Sequence, residues 1–420
     1  MHPEEEFHPL FSDNDVCPDL RDLKPFIYSA EKTMKRIIAL STIFFAFFLS
    51  AARIMAADMP DNPTIRVLIA DNKDFIPITL KGKYTISAVG TDKVVSEGPF
   101  LNVRVCPIQG GLRLGEKAVA APGIKIRVAR DANIYVDSRR FRGGLDIVRK
   151  ADGRLMAINY IGLEEYLYGV LYHEISHRWP MEAIKAQAVA ARTFALNQIG
   201  QSKLAPYDVT CDIYSQVYGG RTSEKWSTNR AVDVTRGQVL TYKAGIFPAY
   251  YHAACAGRTE DASNLWKTNI EPLKGVSCDF CRASPHYRWT KVIPLTTLEA
   301  RLKESGYKTG GIASVSVLGK NTSGRADKVE IRGDGGVSVI LTGKDFRQII
   351  GPNDLRSAKF DVCIKGKNLF FEGYGWGHGA GMCQWGALGM AKKGKRYDEI
   401  LKYYYPGSEI KSIDSARPKT

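Results

Sequence analysis

The residues with the clearest chemical potential lie in four places along the 420-residue chain. His173-Glu174-Ile-Ser-His177 spells H-E-x-x-H, in which two histidines one helical turn apart grip zinc and the glutamate activates water. His252-x-x-Cys255 and Cys278-x-x-Cys281 are two paired-ligand spacings; each can present two ligands from one tight turn, and together they form the closed tetrahedral set of one structural zinc ion. Four protein ligands leave no open position, so this ion is assigned to folding and not to water activation. His286 is a substitute ligand in this scheme, and a Cys278 to Cys281 disulfide is the competing reading. The third place is a run of alternating glycines at 373, 375, 377, 379 and 381, with Trp376 and His378 between them. Glycine lets backbone approach a ligand and tryptophan can stack on a sugar ring, while the absence of G-K-[ST] excludes a phosphate loop. His378 reads from the residues alone either as a buried loop histidine or as a cleft residue. The fourth place is Cys211 to Gly220, where Asp212, Gln216 and Tyr218 offer a carboxylate, an amide and an aromatic suited to sugars, or a turn whose polar groups satisfy backbone.

The elements that must hold these residues decide between readings. A zinc-gripping H-E-x-x-H needs one continuous helix, yet this helix would run into Trp179-Pro180. The residue before a proline is pushed out of the helical region, and proline is best placed at a helix start. The spacing therefore predicts one helix ending before Pro180 and a second over Met181 to Ile199, rich in good helix formers and stopped by Gly200. Ala183, Ala186, Ala190 and Ala191 permit close packing on that second helix. Glu174 is placed in the turn between the two helices. Held among Tyr172, Ile175 and Trp179 it is expected to have a raised pKa and to serve as a general acid; a solvated loop carboxylate is the rival.

Alternating runs from Thr64 to about Tyr160, such as Ile65-Arg-Val67-Leu-Ile69 and Ile124-Lys-Ile126-Arg-Val128, predict short strands joined by turns. Helical spacing begins at Leu163. Beyond Trp289 the pattern predicts helices over Leu295 to Ser305 and Lys344 to Ile350, with strands at Ser314 to Leu318 and Val329 to Arg332. The fold class expected is α+β: a short-strand N-terminal β region (58–160), a central helical catalytic region carrying the zinc knuckles (161–290), an α+β scaffold insert (291–368), and a glycine-rich active-site loop with C-terminal helices (369–420).

The formal net charge of +15 comes with no basic helix, zinc-finger spacing or Lys/Arg cluster, so nucleic acid is not an expected partner and a solvated surface explains the charge. Met34-Lys-Arg, the apolar run Ile37 to Leu49 and the small residues that follow read as a signal peptide, with an uncleaved anchor as the alternative; this predicts a start at Met34, export to the periplasm or cell envelope, and a membrane link only through that anchor. From Asp58 onward there are 53 basic and 36 acidic residues and seven cysteines, an odd number that cannot pair fully as disulfides. Pairing among Cys106, Cys211, Cys363 and Cys383 is left open.

Residues 164 to 196, with E-Y-L-Y-G-V, Glu174 and W-P-x-E-A-x-K-A-Q-A-V-A-A-R-T-F-A, the block G-Y-G-W-G-H-G-A-G-M-C-Q-W-G-A from Gly373 to Ala387, and the tail Tyr397 to Gly407 together resemble the SpoIID/LytB family of sporulation and cell-wall proteins. The resemblance spans roughly residues 64 to 411. It implies a lytic transglycosylase acting on the glycan strands of peptidoglycan, with Glu174 as the catalytic residue. Glu174 would protonate the oxygen between MurNAc and GlcNAc, then as carboxylate take the proton from the MurNAc 6-hydroxyl as it closes on the anomeric carbon. It also implies Asp212, Gln216, Tyr218, Trp376, His378 and Gln384 as substrate-binding positions, and it supports a zinc near the site. In the family the glutamate usually sits in P-S-E-M-P; this chain has His173 at the Ser position and Ser176 in place of the second proline. The H-E-x-x-H is accordingly taken as coincidental. Ordinary glycosidases use two carboxylates, and Glu164, Glu165, Glu182, Asp208 and Asp212 keep hydrolysis open, although Glu164 and Glu165 are expected to be solvated. A non-catalytic glycan-binding enhancer of a cell-wall amidase, a role on the LytB side of the family, is the alternative function.

Overall fold

The computed structural model describes residues 62–416. The N-terminal segment read as signal peptide lies outside the described residues. The fold is α+β, and among the described residues no helix is long and apolar enough to cross a membrane. The chain forms two compact units: the first runs to Tyr166 and includes Leu204–Thr222, and the second comprises Leu167–Lys203 and Ser223–Ala416. The sequence pattern put a boundary near residue 160, whereas the division falls within a helix, and the segment carrying Asp212, Gln216 and Tyr218 belongs to the first unit.

The first unit is an 11-stranded sheet whose strands come from the alternating runs. In Ile76–Ala88 the period of two sends Ile76, Ile78, Leu80, Tyr84, Ile86 and Ala88 inward. The register slips between Lys81 and Tyr84, where Gly82 has φ +102° and a Cβ would lie 2.7 Å from the Cβ of Ala132; only glycine fits this bulge. Thr64–Lys73 pairs antiparallel with Leu155–Gly162 and parallel with the short Val209–Thr210. The Arg66 guanidinium fixes that return, donating to Asp208 at 2.7 Å and to the Ala205 carbonyl at 2.6 Å.

Helices α1 (Leu163–Glu174) and α2 (Met181–Gln201) follow the β-rich segment. Within the second unit, α2 packs against α3 (Trp226–Val234), and the later helices α4 (Leu295–Glu304) and α5 (Gly343–Ile350) flank two three-stranded sheets. The last helices, α6 (Gln384–Lys392) and α7 (Tyr397–Tyr404), also lie on α2. Pro180 precedes the first turn of α2 with φ −53° and ψ 139°, an extended geometry that closes the previous segment. Ala183, Ala186, Ala190 and Ala191 are fully buried, which lets α2 sit close to its neighbours. The helix continues past Gly200 to Gln201, because Ser202 closes it by donating its hydroxyl and its N–H to the Gln198 carbonyl. Replacing Ala190 by leucine is expected to overpack this contact and lower unfolding stability by about 1–3 kcal/mol in urea titration; an unchanged midpoint would contradict the packing.

A second core, around Trp289, Leu298, Val329, Phe346 and Phe360, belongs to the region read as a scaffold. Its strands Arg288–Pro294, Asn368–Tyr374 and Phe360–Lys365 form one sheet, and Ile312–Lys320, Ala326–Gly333 and Ser338–Thr342 form the other.

Candidate active site and metal centre

Glu174 is the last residue of α1 and is half-buried. The expected turn begins one residue later, with Ile175 buried and anchoring the exit. Because the helix stops there, His177 lies outside it, and the two histidines of H-E-x-x-H do not share a helical face. His173 instead pairs its Nε2 with the Ser223 hydroxyl at 2.6 Å, and the ring of His177 lies against Tyr172 at 5.7 Å. Burial, with help from the charges of Arg178 and Lys225, holds His177 below its ordinary pKa.

The turn after Glu174 is fixed from three sides. Gln384, the first residue of α6, donates its amide to the Glu174 carbonyl at 2.7 Å and to Gln187 Oε1 of α2 at 3.3 Å. Trp385 meets Trp179 edge to face at 5.3 Å. Ser227 donates its hydroxyl to the His177 carbonyl at 2.6 Å. Gln187, Ser223, Ser227 and Trp385 were missed in the sequence, since nothing in their spacing marks partners of a residue so distant in the chain. The same holds for Trp226, 79% exposed beside Ser227, whereas Tyr172, expected beside Glu174, lies under the Lys225 ammonium at 5.1 Å.

The other acids weighed as a second carboxylate are engaged in structural contacts. Glu164, expected to be solvated, is buried because α1 begins inside the first unit, while Glu165 accepts from Asn62 at 2.8 Å. Asp208 is bound by Arg66, and Glu182 takes Lys185 at 2.6 Å and the Tyr397 N–H at 2.9 Å. Asp212 closes its own turn, accepting from Thr210 Oγ1 at 2.7 Å and the Tyr214 N–H at 2.9 Å. Gln216 and Tyr218 are buried in the first unit: Gln216 accepts from the Tyr166 hydroxyl at 3.2 Å, and Tyr218 donates to Asn159 Oδ1 at 2.9 Å. Their structural environment is packing, in contrast to the sugar contact expected of them.

In the glycine-rich block, Trp376 is half-buried, set edge to face against His286 at 4.3 Å with the Arg356 guanidinium 5.2 Å from its ring centre. Its face is thus shared with a cation. Gly377 has φ +102° and a Cβ there would lie 2.8 Å from the Cβ of His252, which explains a glycine at this crossing. His378 accepts the Ala380 N–H on Nδ1 at 3.1 Å and is ringed by Trp266, Tyr250 and His252. Burial, followed by the charges of Arg347 and Arg325, pushes His378 down to about 3; burial, followed by Arg356, pushes His286 to about 4. Both folded values lie below the unfolded value of about 6.5, so the unfolded state binds more protons between these limits. Stability from these groups is fully present above about pH 6.5 and is lost as pH falls toward the folded values, with a slope of up to ~1.4 kcal/mol per pH unit for each histidine. His378→Asn is expected to flatten the loss between pH 7 and pH 5 in urea unfolding; identical slopes would rule this out.

The cysteines give a donor set that differs from the one expected. The sulfurs of Cys255, Cys278, Cys281 and Cys383 lie within 4.8 Å of one another, and all four residues are buried. Cys255 and Cys281 are 3.6 Å apart, close to the edge of about 3.8 Å in a tetrahedron built from Zn–S bonds of about 2.3 Å. His252 stands outside this group. Its strand pairs with Met382–Cys383, and its Nδ1 meets the Ala380 carbonyl at 3.1 Å, so the ring is drawn toward backbone. Cys383 caps α6, its sulfur accepting the N–H groups of Gly386 and Cys255, each at 3.3 Å, and Tyr404 lies 3.1 Å from the Cys278 sulfur. Such donors stabilise thiolate charge. Four buried thiols with this spacing and these donors fit a soft, tetrahedral metal ion. None of the seven described cysteines is in a disulfide. A separate cavity of about 340 Å³, lined by residues including Asn72, Asp74, Phe75 and Asp137, contains none of the candidate residues.

An α+β fold in which a glutamate at a helix end is held through its carbonyl by Gln384, the residue that follows one cysteine of a four-sulfur cluster, points to a narrow class of protein. The family model described as Stage II sporulation protein matches residues 151–242, and a second, a domain of unknown function, matches residues 270–381. An uncharacterized protein of Brachyspira hyodysenteriae is 34% identical over 349 residues, covering 82% of this chain and 92% of the relative. Stage II sporulation protein D of Bacillus subtilis is 34% identical over 275 residues, 62% of this chain and 77% of its own length. The amidase enhancer of Bacillus subtilis is 30% identical over 293 residues, 59% of this chain and 40% of its own length. The chain belongs to the SpoIID/LytB family.

Proposed function

We propose that this protein is an exported cell-wall enzyme that cuts peptidoglycan glycan strands by non-hydrolytic transglycosylation, with Glu174 acting first as acid and then as base. The observation that carries the reading is the setting of Glu174: a half-buried residue at the end of α1, its carbonyl held by Gln384 and its following turn clasped by Trp385 and Ser227. The neutral carboxyl is the form that donates a proton to the glycosidic oxygen. Once ionised, the same group takes the proton of the MurNAc 6-hydroxyl as that oxygen bonds to the anomeric carbon, leaving a 1,6-anhydro-MurNAc end. No attacking water is needed. The structural engagement of Glu182, Asp208 and Asp212 supports a single-carboxylate route over the two-carboxylate hydrolysis of ordinary glycosidases.

The four-cysteine centre would hold one structural zinc ion. Bound there it supplies a cross-link between distant segments and no open coordination position. The partner is the glycan strand, and the envelope is the place of action. The likeness to an amidase enhancer favours a second reading, in which the protein binds glycan and assists a separate cell-wall amidase without cutting. Mass analysis of glycan strands stripped of peptide separates the readings: anhydro-MurNAc ends support transglycosylation, reducing ends indicate hydrolysis, and intact strands with retained binding favour the enhancer.

A further inference from the structure

We propose that Cys383 is the fourth metal ligand in place of His252, and that the ion so bound clamps Gln384 onto the Glu174 carbonyl, with Arg325 and Lys359 offsetting the charge of four thiolates. The clamp rests on the catalytic reading of Glu174; the ligand set and its charge partners do not. Three ligands lie within 27 residues of one another, from Cys255 to Cys281, whereas Cys383 lies about a hundred residues further on and immediately precedes Gln384. Holding the Cys383 sulfur therefore fixes the residue whose amide reaches Glu174 at 2.7 Å.

The charge argument is independent. A divalent ion with four thiolates carries two net negative charges, which are costly to bury unless offset. Arg325 is buried and donates to the carbonyls of Cys255 at 3.4 Å and Arg258 at 3.3 Å, and its Nε has no hydrogen-bond partner. Lys359 donates to the Ala256 carbonyl at 2.8 Å. Two cations thus sit on the backbone of one knuckle. Glu260 offsets part of this charge, but its carboxylate is already occupied by Ser323 and Asn321 at 2.7 Å and by Asn264 at 2.8 Å. A buried guanidinium and an ammonium beside four neutral thiols would have little to balance them. Gly379 leaves room for Arg325, since a Cβ there would lie 2.3 Å from its guanidinium carbon.

The test uses the full chain loaded with cobalt(II) as a coloured substitute for zinc, together with zinc content by mass spectrometry. Wild type is expected to bind one ion and to show the ligand-field band of a four-thiolate tetrahedron. His252→Ala should leave the band in place, whereas Cys383→Ser should shift it to shorter wavelength and weaken zinc binding by about 100-fold. Arg325→Met and Lys359→Met should each weaken binding about 10-fold without moving the band, as removal of outer partners does. A band that moves with His252→Ala and not with Cys383→Ser overturns the ligand set. Gln384→Ala tests the clamp: metal content and band should stay unchanged while kcat for strand cleavage falls with KM unaltered. Unaltered kcat in that variant, with wild type active, overturns the clamp. Wild type that cleaves no strands overturns the catalytic reading and the clamp with it, and leaves the cobalt result standing.

Discussion

Glu174→Gln is expected to lower the formation of anhydro-MurNAc ends by ~10³-fold or more while leaving folding and glycan binding intact, because general acid–base groups contribute about 10²–10⁴-fold and here one group serves both proton transfers. Glutamine keeps the size and hydrogen-bonding reach of the side chain and removes only its proton chemistry. The Gln384 amide holds the backbone carbonyl of residue 174, so it should still find its partner in the variant. Mass analysis of the products gives the rate, and a thermal melt of the same preparation shows whether the fold survives. Cleavage at the wild-type rate would remove Glu174 from the chemistry. Loss of cleavage together with a collapsed melt calls for Glu174→Asp, which keeps the carboxyl, retracts it by one methylene, and should retain partial activity if the proton donor is what matters.

Removing the metal is expected to have the second large effect. Structural zinc sites contribute folding free energy directly, about 10–16 kcal/mol of binding in zinc-finger peptides at neutral pH. In this protein the unit has its own apolar core around Val189, Leu240, Ile400 and Tyr405, so the loss should be partial. A strong chelator should lower the melting temperature by roughly 10 °C or more, since 1 kcal/mol corresponds to about 2–4 °C in a domain of 150–250 residues. Added zinc should restore it. The effect should be centred on the Cys383 segment and α6, which hydrogen exchange would locate. An unchanged melting temperature in a preparation shown to have lost its metal would contradict a structural role.

Much of the architecture was legible because it follows local rules. Period-two alternation marked the strands of the first sheet, the Trp179-Pro180 step marked the break between α1 and α2, and helices near Leu295 and Lys344 came out within a residue or two of their observed ends. The Cys278-x-x-Cys281 pair and Cys255 were visible from their x-x spacings. The spacing misled at one corner, since His252 and Cys383 lie side by side on paired strands and only that pairing decides which one meets the other sulfurs. Gln216 and Tyr218 show the same limit, because an amide and a phenol read alike whether they face a sugar or fill a core.

What the sequence by itself determined is the set of elements and the family, both of which rest on residues close together in the chain. Only the tertiary structure decided the fourth sulfur, the grip of Gln384 on the Glu174 carbonyl 210 residues away, and the burial of Glu164 and Arg325. The reason is that burial and pairing depend on contacts between segments far apart along the chain. Local propensity reports backbone preference and says nothing about which distant side chain fills a given space.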